Sequence, residues 1–380
     1  MGISAGEFLG FLNLTWQALV MLVIGGVLIW LGIAKKVEPV LLVPIGFGCV
    51  LANIPLGGVA EPGGFLAVLR EAGIHTEIFP LLIFIGVGAM IDFEPFLQRP
   101  YTILLGAAAQ FGIFGTFFLA YLLGDGWLQV LDFSLKDAAS IGIIGSADGP
   151  TSIYVATVLQ SKYAAAIVVA AYSYMAMVPI IQPPIIKAMC SKEERALKMP
   201  SVAGTISQRR KILFPIITVL VVGLLAPKAT PLIGSLMFGN LLRECGVVER
   251  LFMAAQNELA NIVTILLGIT VGGMMSGTEF LRPETILVFI LGIVAFSLDT
   301  VAGVLLGKLM YVLSGRKVNP MIGACGISAF PMSSRVVQKL GLEANPHNHL
   351  LMHAAGANTA GQIASVVAGG VMLMLVPIFS

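Results

Sequence analysis

Two short polar segments interrupt long apolar stretches, and they contain the residues best suited to chemistry. The first runs from 145 to 152 (GSADGPTS) and the second from 326 to 331 (GISAFP). Proline removes a helical hydrogen bond and glycine tolerates unusual dihedral angles, so each segment should break a helix and free backbone carbonyls and amides. Freed groups cannot face lipid and must line a cavity enclosed by protein. A small, hard cation that takes oxygen ligands suits such a cavity.

Asp148 is the strongest single candidate because it is the only charged residue between Lys136-Asp137 and Lys162. An acid in an apolar segment is a functional hypothesis by default. The alternatives are a structural ion pair, or a cap on the half-helix that follows, and capping does not exclude ion binding. An acid, a glycine, a proline and two hydroxyl residues cluster within residues 148–152. We therefore predict that Asp148 binds a cation.

Three other groups carry weaker signals. Asp299 lies inside an apolar run, where pairing with a lysine or arginine is as plausible as a role in transport. The histidines His347, His349 and His353 have a spacing that suggests a metal, but only Glu343 joins them, and we expect a loop and a helix start. The segment 196–199 (ALKM) is faintly similar to a biotin-acceptor site, but it lies in a short basic loop. We expect no biotin on this chain.

The elements that must position these residues are membrane helices. Of the 380 residues, 57% are hydrophobic and only 11% are charged, with a mean hydropathy of +0.95. A soluble domain carries about 25% charged residues. Uncharged runs such as 101–124 and 163–186 each cover the ~20 residues that a spanning helix needs. The net charge of +2 is small and scattered, which argues against nucleic-acid binding.

The two halves of the chain repeat one another. Residues 81–97 match residues 265–281, pairing Gly88 with Gly272, and an Arg-Pro pair follows in both. Residues 141–155 match residues 322–336 at a nearly constant offset. Internal repeats of this kind are typical of transporters built from two halves of opposite topology.

The charges between and within the halves predict their orientation. The segment 187–211 holds seven Lys/Arg against two Glu, so the positive-inside rule makes it cytoplasmic. The acidic loop around Asp125, Asp132 and Asp137 suits the outside, whereas its counterpart Arg316-Lys317 suits the inside. We predict an all-α integral membrane protein with roughly ten spans in two inverted repeats, with broken helices at the membrane midplane. The first repeat is 1–186, the basic cytoplasmic linker 187–211 and the second repeat 212–380.

Five strings carry a resemblance to a known family over nearly the whole chain. The chain resembles the membrane beta subunit of the biotin-dependent, sodium-translocating decarboxylases, which act on oxaloacetate, methylmalonyl-CoA, glutaconyl-CoA or malonate. The strings are 84–90 (FIGVGAM), 147–151 (ADGPT), 172–175 (YSYM), 319–323 (NPMIG) and 341–348 (GLEANPHN). One departure is Ser146, which stands where members of the family commonly carry glycine and adds a hydroxyl beside the predicted site.

The resemblance implies a set of functional residues. Asp148 and Ser328 would serve sodium, and both fall in the broken helices that the repeat analysis identifies independently. The other matching positions are Asn319, Gly323 and Asn358, which we assign to sodium binding, and Tyr174 and Arg335, which we assign to catalysis. Arg335 could hold a carboxylate with two parallel hydrogen bonds, although a helix-end arginine that extends to the interface remains an alternative. Tyr174 could deliver a proton or serve packing alone.

The resemblance also implies partners and a mechanism. A carboxyltransferase alpha subunit would load CO2 onto biotin on a carrier, and this chain would decarboxylate the carboxybiotin and export sodium across the inner, cytoplasmic membrane. A small membrane gamma or delta subunit and a homo-oligomer are expected. From the residues alone, a sodium-coupled carrier or a sodium/proton antiporter stays open, because inverted repeats with broken helices serve those equally well. A third alternative is a structural membrane anchor. An anchor would need no buried polar site, so the Asp148 cluster argues against this alternative.

Overall fold

The computed structural model describes residues 9–36, 38–126, 128, 131–200 and 204–380. Within these ranges the regular structure is helical and no strand is present, as the composition predicts. The helices of the first half are α1 (Trp16–Ala34), α2 (Pro39–Ala52), α3 (Phe65–Leu69), α4 (Ile78–Met90), α5 (Glu94–Gln98), α6 (Ile103–Ala109), α7 (Phe111–Leu123), α8 (Leu135–Gly142), α9 (Gly149–Val158) and α10 (Ala164–Met189). The rest of the chain forms α11 (Lys192–Ala196), α12 (Gln208–Leu225), α13 (Thr230–Glu244), α14 (Glu249–Ala254), α15 (Ala260–Gly273), α16 (Gly277–Phe280), α17 (Pro283–Leu313), α18 (Met332–Ala344) and α19 (Leu351–Phe379).

Five helical stretches are long and apolar enough to cross a membrane, and there are seven if each of two bent pairs counts as one span, all among the described residues. The stretches are Trp16–Ala34, Pro100–Leu123, Glu249–Gly273, Pro283–Leu313 and Leu351–Phe379. Shorter helices such as α2 are apolar but fall below this length. The predicted total of roughly ten spans stays a prediction.

Helices α4 and α15, which the sequence repeat pairs, each pack against a helix of the other half, α4 against α13 and α15 against α2. A Cβ built on Gly88 of α4 would lie 1.8 Å from the carbonyl oxygen of Leu236 in α13. A Cβ built on Gly272 of α15 would lie 1.9 Å from the carbonyl oxygen of Ile45 in α2. Real Cβ atoms do not approach so closely, so both positions require glycine. The two glycines that the repeat analysis pairs thus make the same kind of helix contact.

The first broken helix forms a hairpin with two limbs. Helix α8 continues as a 3₁₀ helix over Ile143–Ser146, and the chain then reverses into α9. Asp137 in the first turn of α8 accepts hydrogen bonds from the Ser161 hydroxyl (2.7 Å) and the Lys162 amide (2.9 Å), just beyond the end of α9. Both limbs therefore begin and finish at one end of the bundle, which we call the far end.

The second broken helix forms a matching hairpin from a 3₁₀ helix over Pro320–Gly326 and α18. The Asn319 amide donates to the Leu197 carbonyl (2.9 Å), and the Asn345 amide donates to the Ala196 carbonyl (3.3 Å). Both limbs of this hairpin therefore lie beside the segment 190–200, at what we call the linker end.

The two hairpins enter the bundle from opposite ends. Helix α19 connects these ends, because His353 near its start shares a pocket with Lys198, whereas Phe379 at its end shares a pocket with Asp125 and Lys136. The hairpin tips meet where the Ser328 amide donates to the Ser146 carbonyl at 3.0 Å.

The predicted linker overlaps helices at both edges, because α10 continues to Met189 and α12 begins at Gln208. Residues 201–203 of this segment lie outside the described part of the chain. The division into 1–186, 187–211 and 212–380 and the inverted orientation in a bilayer remain predictions.

Candidate functional site at the hairpin tips

The backbone around Asp148 turns sharply between the two limbs of the first hairpin. Ala147 adopts a left-handed conformation with φ +50°, which costs free energy in a residue other than glycine. Asp148 itself is extended and caps α9, where its carboxylate accepts a hydrogen bond from the Thr151 amide at 3.3 Å. The capping role that the sequence allows is therefore present.

The Asp148 carboxylate also gathers donors from two helices. Its Oδ2 accepts from the Thr151 hydroxyl (2.6 Å), from the Gln362 amide of α19 (3.0 Å) and from the Ser365 hydroxyl (3.5 Å). Asp148 is only 5% exposed. Within the described ranges no lysine or arginine forms an ion pair with it, so the structural ion pair considered from the sequence is not found.

Ser328 at the tip of the second hairpin reaches the same cluster. Its hydroxyl hydrogen-bonds with the Ser365 hydroxyl and donates to the Gly361 carbonyl at 3.3 Å. Ser365 therefore links Ser328 to Asp148. The structure brings together the two residues that the sequence places in the paired broken helices.

A cavity of about 210 Å³ adjoins this cluster. Its polar lining includes Asp148, Ser328, Gln362 and Glu38, and the rest is mainly apolar residues of α2, α4, α10 and α15. Oxygen atoms of a carboxylate and a hydroxyl therefore face a space large enough for an ion and several water molecules. Hard monovalent and divalent cations take such oxygen ligands.

Three predicted sodium residues lie around the second hairpin rather than in the lining of this cavity. The Asn358 amide donates to the Ile327 carbonyl (2.6 Å), and its Oδ1 accepts from the Ser334 hydroxyl (3.2 Å), so Asn358 fixes the hairpin tip. Asn319 caps the 3₁₀ limb at the linker end. A Cβ on Gly323 would lie 1.9 Å from the Gly303 carbonyl oxygen, which makes Gly323 a close-packing position against α17.

The two predicted catalytic residues lie on different helices. Tyr174 is buried in α10, and its hydroxyl donates to the Phe289 carbonyl of α17. Tyr172, two residues earlier on the same helix, lines the cavity. Its buried hydroxyl has no hydrogen-bond partner among the described residues. Arg335 is exposed in the first turn of α18.

Asp299 has no lysine or arginine partner among the residues described, so the ion pair that the sequence left open is not found there. Its Oδ1 accepts from the Gly112 amide at 2.6 Å, at the break between α6 and α7, and its Oδ2 has no partner there. The histidines His347 and His349 precede α19, and His353 lies in its first turn. No cluster of three or more metal-binding side chains occurs in the described ranges.

Sequence reasoning missed the residues that reach the site from far along the chain. Gln362 and Ser365 bond to Asp148 across 214 and 217 residues, and nothing in the local sequence of α19 marks them. Glu38, just before α2, was also missed. Burial raises the pKa of its carboxyl, and the positive charge of Arg335 acts in the opposite direction.

Comparisons with known proteins identify the family. A family model described as the Na+-transporting oxaloacetate decarboxylase beta subunit matches residues 17–376. The chain is 45% identical to the oxaloacetate decarboxylase beta chain of Haemophilus ducreyi, over 98% of each chain. It is 49% identical to the methylmalonyl-CoA decarboxylase subunit beta of Propionigenium modestum, over 96% of each chain. It is 50% identical to the glutaconyl-CoA decarboxylase subunit beta of Acidaminococcus fermentans, over 97% of this chain and 95% of that one. The chain therefore belongs to the family of membrane beta subunits of sodium-transporting decarboxylases.

Proposed function

We propose that this chain decarboxylates carboxybiotin presented by a partner and uses the reaction to export sodium through the cavity at the hairpin tips. The observation that carries the proposal is the buried Asp148 carboxylate, which lies where two hairpins from opposite ends of the bundle meet. An ion bound there contacts elements that lead to both ends. Family membership supplies the coupling to decarboxylation.

Sodium binds between the two hairpin tips in this proposal. Asp148 supplies a carboxylate oxygen and Ser328 a hydroxyl oxygen. Asn358, Asn319 and Gly323 belong to the same site because they set the position of the second tip, through contacts with Ile327, the 190–200 segment and α17. The Thr151, Gln362 and Ser365 donors hold the carboxylate in place before an ion arrives.

Arg335 receives the carboxylate of carboxybiotin. A guanidinium can donate two parallel hydrogen bonds to a carboxylate, and the exposed position of Arg335 leaves it accessible to a group on another protein. In the reaction the bond between the ring nitrogen and the carboxyl carbon breaks, CO2 leaves and the nitrogen takes up a proton. Tyr174 is the proposed source of that proton.

Transport requires that the ion site open alternately to the two ends. Moving one charge against 100 mV takes about 2.3 kcal/mol, which a favourable decarboxylation can supply if the steps are strictly coupled. Movement of one part of a two-repeat structure against the rest is the usual route. The cavity beside Asp148 is lined in part by half-buried Glu38 and exposed Met90.

The partners follow from the same chemistry. We propose a carboxyltransferase alpha subunit, a biotin carrier and a small membrane gamma or delta subunit, with the complex in the inner, cytoplasmic membrane and the chain forming a homo-oligomer. The basic segment 187–211 then faces the cytoplasm, where the carrier delivers its biotin.

The test compares two buried acids that both lie at the start of a hairpin helix. Asp148→Asn should abolish sodium-dependent decarboxylation of carboxybiotin in membranes, because the amide lacks the negative charge that a cation needs. Asp137 pairs with the N-cap residue Ser134 in the capping box of α8 at the far end and is 1% exposed, and Asp137→Asn should keep the sodium dependence. Unchanged sodium dependence in Asp148→Asn would refute the assignment of Asp148 to sodium binding.

A further inference from the structure

A second cavity, of about 560 Å³, lies at the linker end and is lined by segments that are far apart in the chain. Arg99 follows α5, Lys198 belongs to the segment 190–200, and His353 lies in the first turn of α19. The loop before α19 adds the side chains of His347, Asn348 and His349. None of the described residues that line this cavity is acidic, whereas the cavity beside Asp148 has two carboxylates in its lining. The basic lining suits an anion rather than a metal ion.

The two cations of this cavity have no carboxylate partner among the described residues. The Arg99 guanidinium donates to the Pro200 carbonyl and to the Tyr101 hydroxyl (3.3 Å), so neutral groups hold it in place and leave its charge unneutralised. Lys198 is exposed, and its ammonium makes no hydrogen bond within the described ranges. A positioned guanidinium and a flexible ammonium in one cavity can bind the same oxyanion.

The cavity lies where two apolar stretches begin that are long enough to cross a membrane. Pro100–Leu123 directly follows Arg99, and Leu351–Phe379 begins two residues before His353. Tyr101, which accepts the hydrogen bond from Arg99, is 37% exposed, and tyrosine is enriched where a membrane meets water. Large apolar side chains near the start of both stretches are also exposed, as expected for groups that face lipid: Leu104, Leu351 and Met352. In a bilayer the cavity would therefore lie at the level of the lipid headgroups.

We propose that this cavity binds the phosphate group of an anionic phospholipid, and we call it the headgroup site. Arg99 and Lys198 bind the phosphate oxygens, and the imidazole of His353 donates a further hydrogen bond. Basic pockets between membrane helices on the cytoplasmic side recognise such headgroups. Inorganic phosphate offers the same oxygens, but it has no acyl chains to cover the exposed apolar side chains beside the cavity. These side chains favour the lipid.

A bound headgroup would join segments that meet at the base of the second hairpin. The Asn348 amide donates to the Arg195 carbonyl at 2.8 Å, so the loop before α19 already holds the linker segment from one side. A phosphate between Arg99 and Lys198 adds a link from the same segment to the first half of the chain. A ligand that binds only the folded protein stabilises it, so anionic lipid should raise the Tm.

The experiment measures the Tm of the full chain in a neutral detergent while phosphatidylglycerol is added, and the dependence on lipid concentration gives an apparent Kd. Lys198→Gln should raise this Kd about fivefold, as expected for one lysine beside an anionic lipid. Arg99→Gln should raise it about tenfold or more, because it removes charge-assisted hydrogen bonds. Arg99→Lys keeps the charge and should bind more tightly than Arg99→Gln.

The matched control is the double variant Arg209→Gln, Arg210→Gln. It removes two exposed positive charges from the same basic segment, outside the cavity, and should keep a Kd near the parent value. An equal loss of affinity in this control would show that lipid is attracted by overall charge, and it would refute a defined site. Should Arg99→Gln fail to fold, Lys198→Gln decides alone, because its side chain is exposed and makes no hydrogen bond among the described residues.

Two further ligands identify the source of the phosphate. Phosphatidylcholine has no net charge and should raise the Tm much less than phosphatidylglycerol, and an equal rise would refute the headgroup site. Inorganic phosphate should also raise the Tm much less at the same concentration. If inorganic phosphate gives the full rise, and Lys198→Gln weakens it, the cavity binds soluble phosphate and the lipid assignment is refuted.

Discussion

At the residue scale, Asp148 and Asp299 are two buried acids that have different surroundings. Asp148 accepts hydrogen bonds from Thr151, Gln362 and Ser365 and faces a cavity. Asp299 accepts from the Gly112 amide, and the ideal Cβ position on Gly145 lies 2.6 Å from its other oxygen. A carboxylate that faces a cavity can exchange ions, whereas one packed against backbone mainly joins segments. Local sequence cannot separate these cases, because the deciding partners are about 190 to 220 residues away.

Tyr174 gives the residue-scale prediction. If its hydroxyl delivers the proton that decarboxylation consumes, Tyr174→Phe should lower the rate of carboxybiotin decarboxylation by about 10²-fold or more, as expected for loss of a general acid. The KM for carboxybiotin should stay near its parent value, because the ring and its packing against Gly292 remain. Stopped-flow or steady-state rates in vesicles measure both constants.

Tyr172→Phe is the matched comparison, because Tyr172 lies on the same helix and lines the cavity. It should keep most of the rate. If Tyr174→Phe keeps the parent rate, Tyr174 serves packing only. If Tyr172→Phe alone causes a large loss of rate, Tyr172 is the proton donor instead.

At the scale of elements, Gly-Pro interruptions predict the two broken helices well. Residues 145–150 and 326–331 lie at the tips of the hairpins, because proline and glycine end the hydrogen-bond ladder wherever they fall. The sequence does not predict that each broken helix returns to the end from which it entered. That reversal depends on contacts such as Asp137 with Lys162 and Asn319 with Leu197, which join residues distant in the chain.

The paired glycines of α4 and α15 give the element-scale prediction. Gly88→Ala and Gly272→Ala should each destabilise the protein by roughly 1–3 kcal/mol, because the added methyl group meets a carbonyl oxygen of the neighbouring helix. Gly26→Ala in α1 and Gly234→Ala in α13 are matched controls, since a Cβ at either position meets nothing within 4 Å. Thermal unfolding in detergent gives the comparison. Equal stability of the four variants would contradict the close helix contact.

At the scale of the whole molecule, two hairpins from opposite ends meet at Asp148 and Ser328, with a cavity beside them. The internal repeat predicts paired hairpins, and the packing of α4 against α13 and of α15 against α2 agrees with that symmetry. The number of crossings is harder to predict, because apolar composition does not tell a full span from a hairpin limb or a short buried helix. Helix α2 is apolar but has only fourteen residues, fewer than a usual span, and the hairpin limb α9 has ten.

The central claim is that decarboxylation of carboxybiotin drives sodium through this chain, and sodium uptake by inverted membrane vesicles that hold the complex tests it most directly. The vesicles receive the carboxylic acid substrate, with or without avidin, which sequesters biotin. We predict substrate-driven sodium uptake that avidin abolishes and that Asp148→Asn vesicles lack. Sodium uptake that continues unchanged in the presence of avidin would contradict the account and indicate a carrier that needs no carboxybiotin.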